Sequence, residues 1–237
     1  MTARSAGGET DPRRLDPLDY GVTPLSARLT PEDAADLAAR ASRAHFPDRQ
    51  SIFARGERRP QFCLVVEGGV RLSRTSLSGK RVSGGLLGPG QHFGYATAAL
   101  GRERIYDVIA VGETVIDRIA ADDVTRLVER SPRLALALLR DTTERAALLM
   151  QLLDDVRLLP PAARIARLLG DSLRTQGGNQ LIRCLHEDIA AIIGVSSMTV
   201  AKALGELAAL GLVETAYRCV RLPDPPRLRA WLRTWDA

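Results

Sequence analysis

The sequence predicts an α+β protein: an N-terminal antiparallel β-roll of the jelly-roll kind, a long helix, and a C-terminal winged helix-turn-helix. Three observations carry this. Between Pro47 and Ile119, short β-prone runs are punctuated by glycine about every ten residues. From Pro132 to Leu158 the apolar spacing is helical without interruption. Beyond that, two short helical patterns are pinned together by Gly194, Val195 and Ser196, and a glycine-led hairpin pattern, "GLVETAYRCVRLPD", follows.

The chain has 237 residues, enough for one large or two modest domains. Apolar residues at 45% and charged residues at 26% are ordinary for a globular protein. No run reaches the roughly 18 apolar residues of a membrane span; "LALALL" is closed by Arg140. "MTARSAGGETDPRRLDP" has no apolar core and no small-residue cleavage pattern, so no secretory signal is expected. Residues 1–24 are expected to form a disordered tail. Cys63, Cys184 and Cys219 lie far apart, which argues against a disulfide framework and against a local zinc or iron–sulfur motif. A reducing cytoplasm fits best. The net charge of +5 weakly favours a polyanionic partner. Aromatics at 4% are too few for a base-stacking single-strand platform.

In chain order, "TPEDAADLAARASRA" reads as a helix from Thr30 to Ala44, with Thr30 as N-cap, Pro31 first in the helix and acids in its first turn. "FCLVVE", "VRLSRT", "DVIAV" and "TVIDRIA" read as strands of a sensor domain spanning 25–130. A helix over 131–158 follows, with Leu134, Leu138, Leu148, Leu152 and Val156 near one stripe and Arg140, Asp141, Glu144 and Arg145 off or beside it. It is either simple core or a dimer seam. "LLPP" breaks it, because proline cannot continue a helix but can start the next. The remainder, 159–237, is helical with one extended segment near "ETAYRCVRL".

Within "HEDIAAIIGVSSMTVAKALGELAALGLVET", Ile189 and Ile192 or Ile193 supply the buried face of a first helix. Gly194 ends that helix, Val195 plugs the corner and Ser196 caps the second helix. Val200, Leu204 and Leu207 then form an inward stripe. Ser197, Met198, Ala201, Lys202 and Gly205 face outward, a short and sparsely charged surface of the kind that fits a DNA major groove. The bland alternative is an ordinary helical corner in a core. Residues 158–237 carry ten basic and seven acidic residues, a surplus that supports DNA without proving it. The DNA-contacting candidates are Ser196, Ser197, Met198, Thr199 and Lys202.

"IFARGERRPQFCLVVEGGVRLSR", "GLLGPGQHFGY", "RIARLLGDSL" and the helix-turn-helix, in this order and spacing, resemble the cyclic-AMP receptor protein / fumarate-nitrate regulator (CRP/FNR) family of bacterial transcription regulators. The resemblance covers roughly residues 25 to 235. It implies a cyclic-nucleotide-binding-like β-roll, a homodimer joined through 131–158, a two-fold symmetric operator on double-stranded DNA, and RNA polymerase as a partner. It also points to departures. Where cyclic-nucleotide binders of the family carry Gly-Glu, this chain has Gly94-Tyr95. Where they carry Arg-Ser or Arg-Thr, it has Arg104-Ile105, after a shortened loop that can turn Arg104 away from the pocket. Where their long helix offers hydroxyls, it has Leu149 and Met150.

Cyclic AMP is therefore not expected as the effector. The effector-pocket candidates are His92, Tyr95, Arg104 and Tyr106. A regulator responsive to cyclic nucleotide through an altered pocket is the alternative. No cofactor is expected. The tail lacks the cysteine cluster of the oxygen-sensing branch, and His92 reads as a structural hydrogen-bonder before it reads as a haem ligand. Three scattered histidines supply no metal site and no G-x-S-x-G motif is present, so no enzyme is expected. A dimeric protein-binding adaptor is the alternative of another class.

Overall fold

The computed structural model describes residues 21–77, 79, 81–173 and 180–235. Residues 1–20 of the expected tail lie outside this set; Val22, the first core residue within it, is buried.

Helix α1 (Pro31–Ala39) begins where expected, the Thr30 hydroxyl accepting the Asp33 N–H at 3.1 Å. It stops at Ala39, not Ala44. Ser42–Phe46 instead form strand β1, paired antiparallel with β6 (Asp107–Ala120). The local helix preference of "ARASRA" is overridden by that ladder and by Arg43, which donates to both Asp117 carboxylate oxygens at 2.8 and 2.9 Å.

The roll is completed by β2 (Ser51–Phe53), β3 (Gln61–Thr75), β4 (Arg81–Leu87) and β5 (His92–Phe93). The sheet order is β1-β6-β3-β4, with β2 on β6 and β5 on β3. "FCLVVE" and "VRLSRT" belong to one strand, as do "DVIAV" and "TVIDRIA". Their glycines bend the strands rather than end them. The register slips around Glu67, and Gly68 adopts φ 69°, where a Cβ would lie 2.2 Å from the Glu113 carbonyl oxygen. Phe53, Cys63, Val70, Phe93, Val108 and Ile116 fill the interior. Burial pushes the Cys63 thiol up to about 12, so it stays protonated core.

After α2 (Tyr95–Leu100) and α3 (Ala121–Arg130), helix α4 (Pro132–Leu158) is capped by the Ser131 hydroxyl, which accepts the Leu134 N–H at 3.1 Å. Its inward stripe runs Leu134, Leu138, Asp141, Arg145, Leu148, Leu152 in steps of four and three. Asp141 is thus buried on the stripe, not off it. Val156 leaves the stripe and is 62% exposed; Asp155 takes the buried place and accepts from Arg167 at 2.5 Å.

Past the proline break come α5 (Pro161–Ser172), β7 (Leu181–Arg183), α6 (His186–Ile193), α7 (Ser197–Ala209), β8 (Glu214–Ala216), β9 (Cys219–Arg221) and α8 (Pro225–Leu232). Strand β7 is an addition to the sequence reading. Three residues are too short for a visible period, and they become a strand only by pairing with β9. Ile165, Leu168, Leu169, Ile189, Leu204 and Val220 form the core of this unit. Leu86 of β4 is buried in the same cluster, and Arg71 of β3 donates to Asp188 of α6 at 2.9 and 3.2 Å. The roll and the winged helix are therefore packed against each other.

Candidate nucleic-acid interface and effector cavity

The corner between α6 and α7 is built as its residues dictate. Gly194 takes the left-handed conformation, φ 78°, and its N–H donates to the Ala190 carbonyl at 2.9 Å. The Ser196 hydroxyl accepts the Thr199 N–H at 3.0 Å. The chain turns through 102° between the two helices, within the range of helix-turn-helix pairs. Val200, Leu204 and Leu207 are buried beneath α7. Ser197, Met198, Ala201, Lys202 and Gly205 are exposed on its outer face, Met198 at 80%.

Of the five DNA-contacting candidates, Ser197, Met198 and Lys202 project outward. Ser196 and Thr199 have hydroxyls 2.8 Å apart and serve the cap. The β8–β9 hairpin stands beside α7 as a wing. At its tip Tyr217 is 90% exposed and Arg218 has φ 58°. Sequence reasoning does not single out Tyr217; an aromatic in a two-residue turn is the available signal.

His92, Tyr95, Arg104 and Tyr106 converge on one cavity of about 370 Å³ between the roll, α4 and α6. Arg145, Leu148, Leu149 and Leu152 of α4 and Ile192 of α6 complete the wall. His92 is buried, its Nε2 2.6 Å from Asp141 Oδ2, an oxygen that also accepts from Arg145 Nε at 2.8 Å. The imidazole stacks on Phe62 at 4.9 Å and meets the Tyr95 ring edge-on at 5.7 Å. Burial holds His92 below its ordinary pKa despite the pull of Asp141, so the neutral ring donates through Nε2. Burial works to raise Asp141, but the bonds from His92 and Arg145 outweigh it and hold the carboxyl at about 2.

Arg104 is buried with its guanidinium 3.6 Å from the Phe53 ring centroid. Its Nη2 donates at 3.4 Å to the Arg59 and Gln61 carbonyls, and Nε has no hydrogen-bond partner. No salt bridge joins it to a carboxylate among the described residues. Asp141, Arg145 and Ile192 are site residues that sequence reasoning misses. The legible signal for the first two was an i, i+4 acid–base pair interrupting an apolar stripe at stripe positions.

Comparison with known proteins places these features. The cyclic nucleotide-binding domain family matches residues 43–131, and the Crp-like helix-turn-helix domain family matches 163–231. The chain is 33% identical over 196 residues to the cyclic AMP receptor protein of Thermus thermophilus, covering 81% of this chain and 88% of that one. It is 25% identical to the CRP-like cAMP-activated global transcriptional regulator of Mycobacterium tuberculosis, over 84% of this chain and 92% of that one. The crystal structure of Thermus thermophilus catabolite activator protein superposes with a TM-score of 0.53 at 29% identity, covering 90% of this chain and all of that one. A CooA variant from Carboxydothermus hydrogenoformans shares the fold with a TM-score of 0.73 at 17% identity, covering 90% of this chain and 99% of that one. The Mycobacterium tuberculosis relative is by name a transcriptional regulator, and the helix-turn-helix built here is the Crp-like DNA-binding domain. The chain belongs to the CRP/FNR family of transcription regulators.

Proposed function

We propose that the chain acts in the cytoplasm as a homodimer on a two-fold symmetric operator, without enzymatic activity, and that its effector is not free cyclic AMP. The observation that carries the dimer is a second, outward stripe on α4. Leu139, Thr142, Ala146, Leu149, Leu153 and Val156 recur at heptad spacing, and the four large ones are each more than half exposed in the single chain. Two copies joined there would present their α7 helices to successive major grooves about 34 Å apart. A footprint on a palindromic promoter fragment, with affinity falling steeply as salt rises, is the expected result. An adaptor would instead show no sequence preference in a gel shift. RNA polymerase is proposed as a partner on the family resemblance alone, and a regulator that uses neither haem nor an iron–sulfur cluster on the scattered histidines and cysteines.

Specificity should depart from the common consensus of the family, whose recognition helices usually carry Glu and Arg where this one has Met198 and Lys202. Methionine can touch a thymine methyl but cannot accept from cytosine N4, which leaves Lys202 for any guanine contact. Lys202→Ala should cost about 1–3 kcal/mol at one position of each half-site, read by selecting bound sequences from a randomised pool. Recovery of the ordinary consensus by the wild-type chain would overturn this assignment.

Against cyclic AMP stand the lack, among the described residues, of any carboxylate in the cavity wall to accept from a ribose hydroxyl and the leucines that α4 presents there. Each buried hydrogen bond left unmade costs about 1–3 kcal/mol. In favour of the alternative stands Arg104, which lines the cavity and can pair with a cyclic phosphate. Calorimetry with cyclic AMP and cyclic GMP decides. No heat of binding is expected at micromolar concentrations; micromolar affinity that disappears in Arg104→Ala would favour the cyclic-nucleotide reading.

A further inference from the structure

The cavity wall contains two arginines, Arg104 and Arg145, and no aspartate or glutamate among the described residues. Arg145 is neutralised by Asp141, with Nε at 2.8 Å. Arg104 is not neutralised: it is 5% exposed, its two hydrogen bonds are long, and Nε is unpartnered. Its side-chain neighbour is the Cys63 thiol, which burial keeps protonated and therefore uncharged, and Glu57 acts on it only as a more distant charge. A buried cation without a paired anion is costly, and such sites gain most from an anion that arrives with its own charge. The rest of the wall is mainly apolar, Phe93, Val108, Leu148, Leu152 and Ile192 among its large side chains, with neutral polar groups from Ser83, His92, Tyr95, Thr97 and Tyr106. A volume of about 370 Å³ suits a compact organic molecule.

We propose that this cavity takes a small organic acid, an oxyanion head paired with Arg104 and an apolar body against α4 and Ile192. The inference deepens, and rests on, the reading that the effector is not a cyclic nucleotide. Such a ligand needs no carboxylate to accept from a ribose hydroxyl, and the wall has none among the described residues. Through Ile192 it would touch α6 directly, so its occupancy bears on the DNA-binding unit without an intermediary.

The test uses full-length protein and calorimetry with four probes: decanoate, octyl phosphate, 1-decanol and cyclic AMP. At least one of the two anions should bind, and at least tenfold more tightly than 1-decanol. Preference between decanoate and octyl phosphate identifies the head group. In Arg104→Met the anion affinity should fall at least tenfold while the melting temperature does not drop, because the substitution removes an uncompensated buried charge at similar volume. Binding of neither anion, equal affinity for 1-decanol, or unchanged anion affinity in folded Arg104→Met would each overturn the proposal. Should Arg104→Met fail to fold, the ratio between the tighter-binding anion and 1-decanol decides by itself. Failure of all four probes removes only this inference, whereas micromolar cyclic AMP binding removes the reading beneath it.

Discussion

Leu139→Glu with Leu153→Glu should turn the protein into a monomer that has lost at least about 100-fold in operator affinity, because two linked half-sites bind with an effective concentration that a lone one lacks. Both side chains face solvent in the single chain, at 61% and 60% exposure, so each chain should fold as before. In a dimer joined along this stripe they would lie within the seam, and the four glutamates buried there would be desolvated without partners. Light scattering reads the mass, and fluorescence anisotropy with a labelled palindrome reads the affinity. Unchanged circular dichroism would show that the loss is one of association. A variant that still scatters as a dimer would remove the seam from α4.

The second large effect concerns Asp141. Asp141→Ala should destabilise the protein by about 3–5 kcal/mol at neutral pH, because it leaves the half-buried Arg145 and the buried His92 facing each other without their shared acceptor. Asp141→Asn, which keeps one carbonyl oxygen in place, should lose less. Guanidinium unfolding gives the comparison. A difference from wild type below about 1 kcal/mol would mean that the triad carries little stability. The pH dependence has a defined sign. The folded carboxyl sits at about 2, below the ordinary carboxylate value, so its contribution is complete above about pH 4. It is lost as pH falls through about 2, where the wild type and Asp141→Ala should converge.

The helix-turn-helix was the most legible part of the sequence. Its signals are local: a left-handed glycine at 194, a cap at Ser196, and a stripe of Val200, Leu204 and Leu207 within one helix. The same holds for the start of α1 at Thr30 and for α4, whose cap and closing prolines lie next to the helix they delimit. Where a pairing across the chain competed with local preference, the reading failed. Residues 42–44 looked helical and became β1 because β6 offered them a ladder. Leu181–Arg183 became β7 only in the presence of β9. Two pairs of strands fused because glycine serves a bulge as readily as a turn, and only the neighbouring strand distinguishes them.

The candidate effector cavity divides in the same way. By itself the sequence determined that His92, Tyr95, Arg104 and Tyr106 lie close together along the chain within the roll. Only the tertiary structure decided that Asp141 and Arg145 turn inward to meet His92, that Arg104 settles on Phe53 without a carboxylate, and that Ile192 closes the wall. The reason is physical: spacing along a helix specifies a face, but what that face meets depends on packing between segments separated by 49 residues, as His92 and Asp141 are.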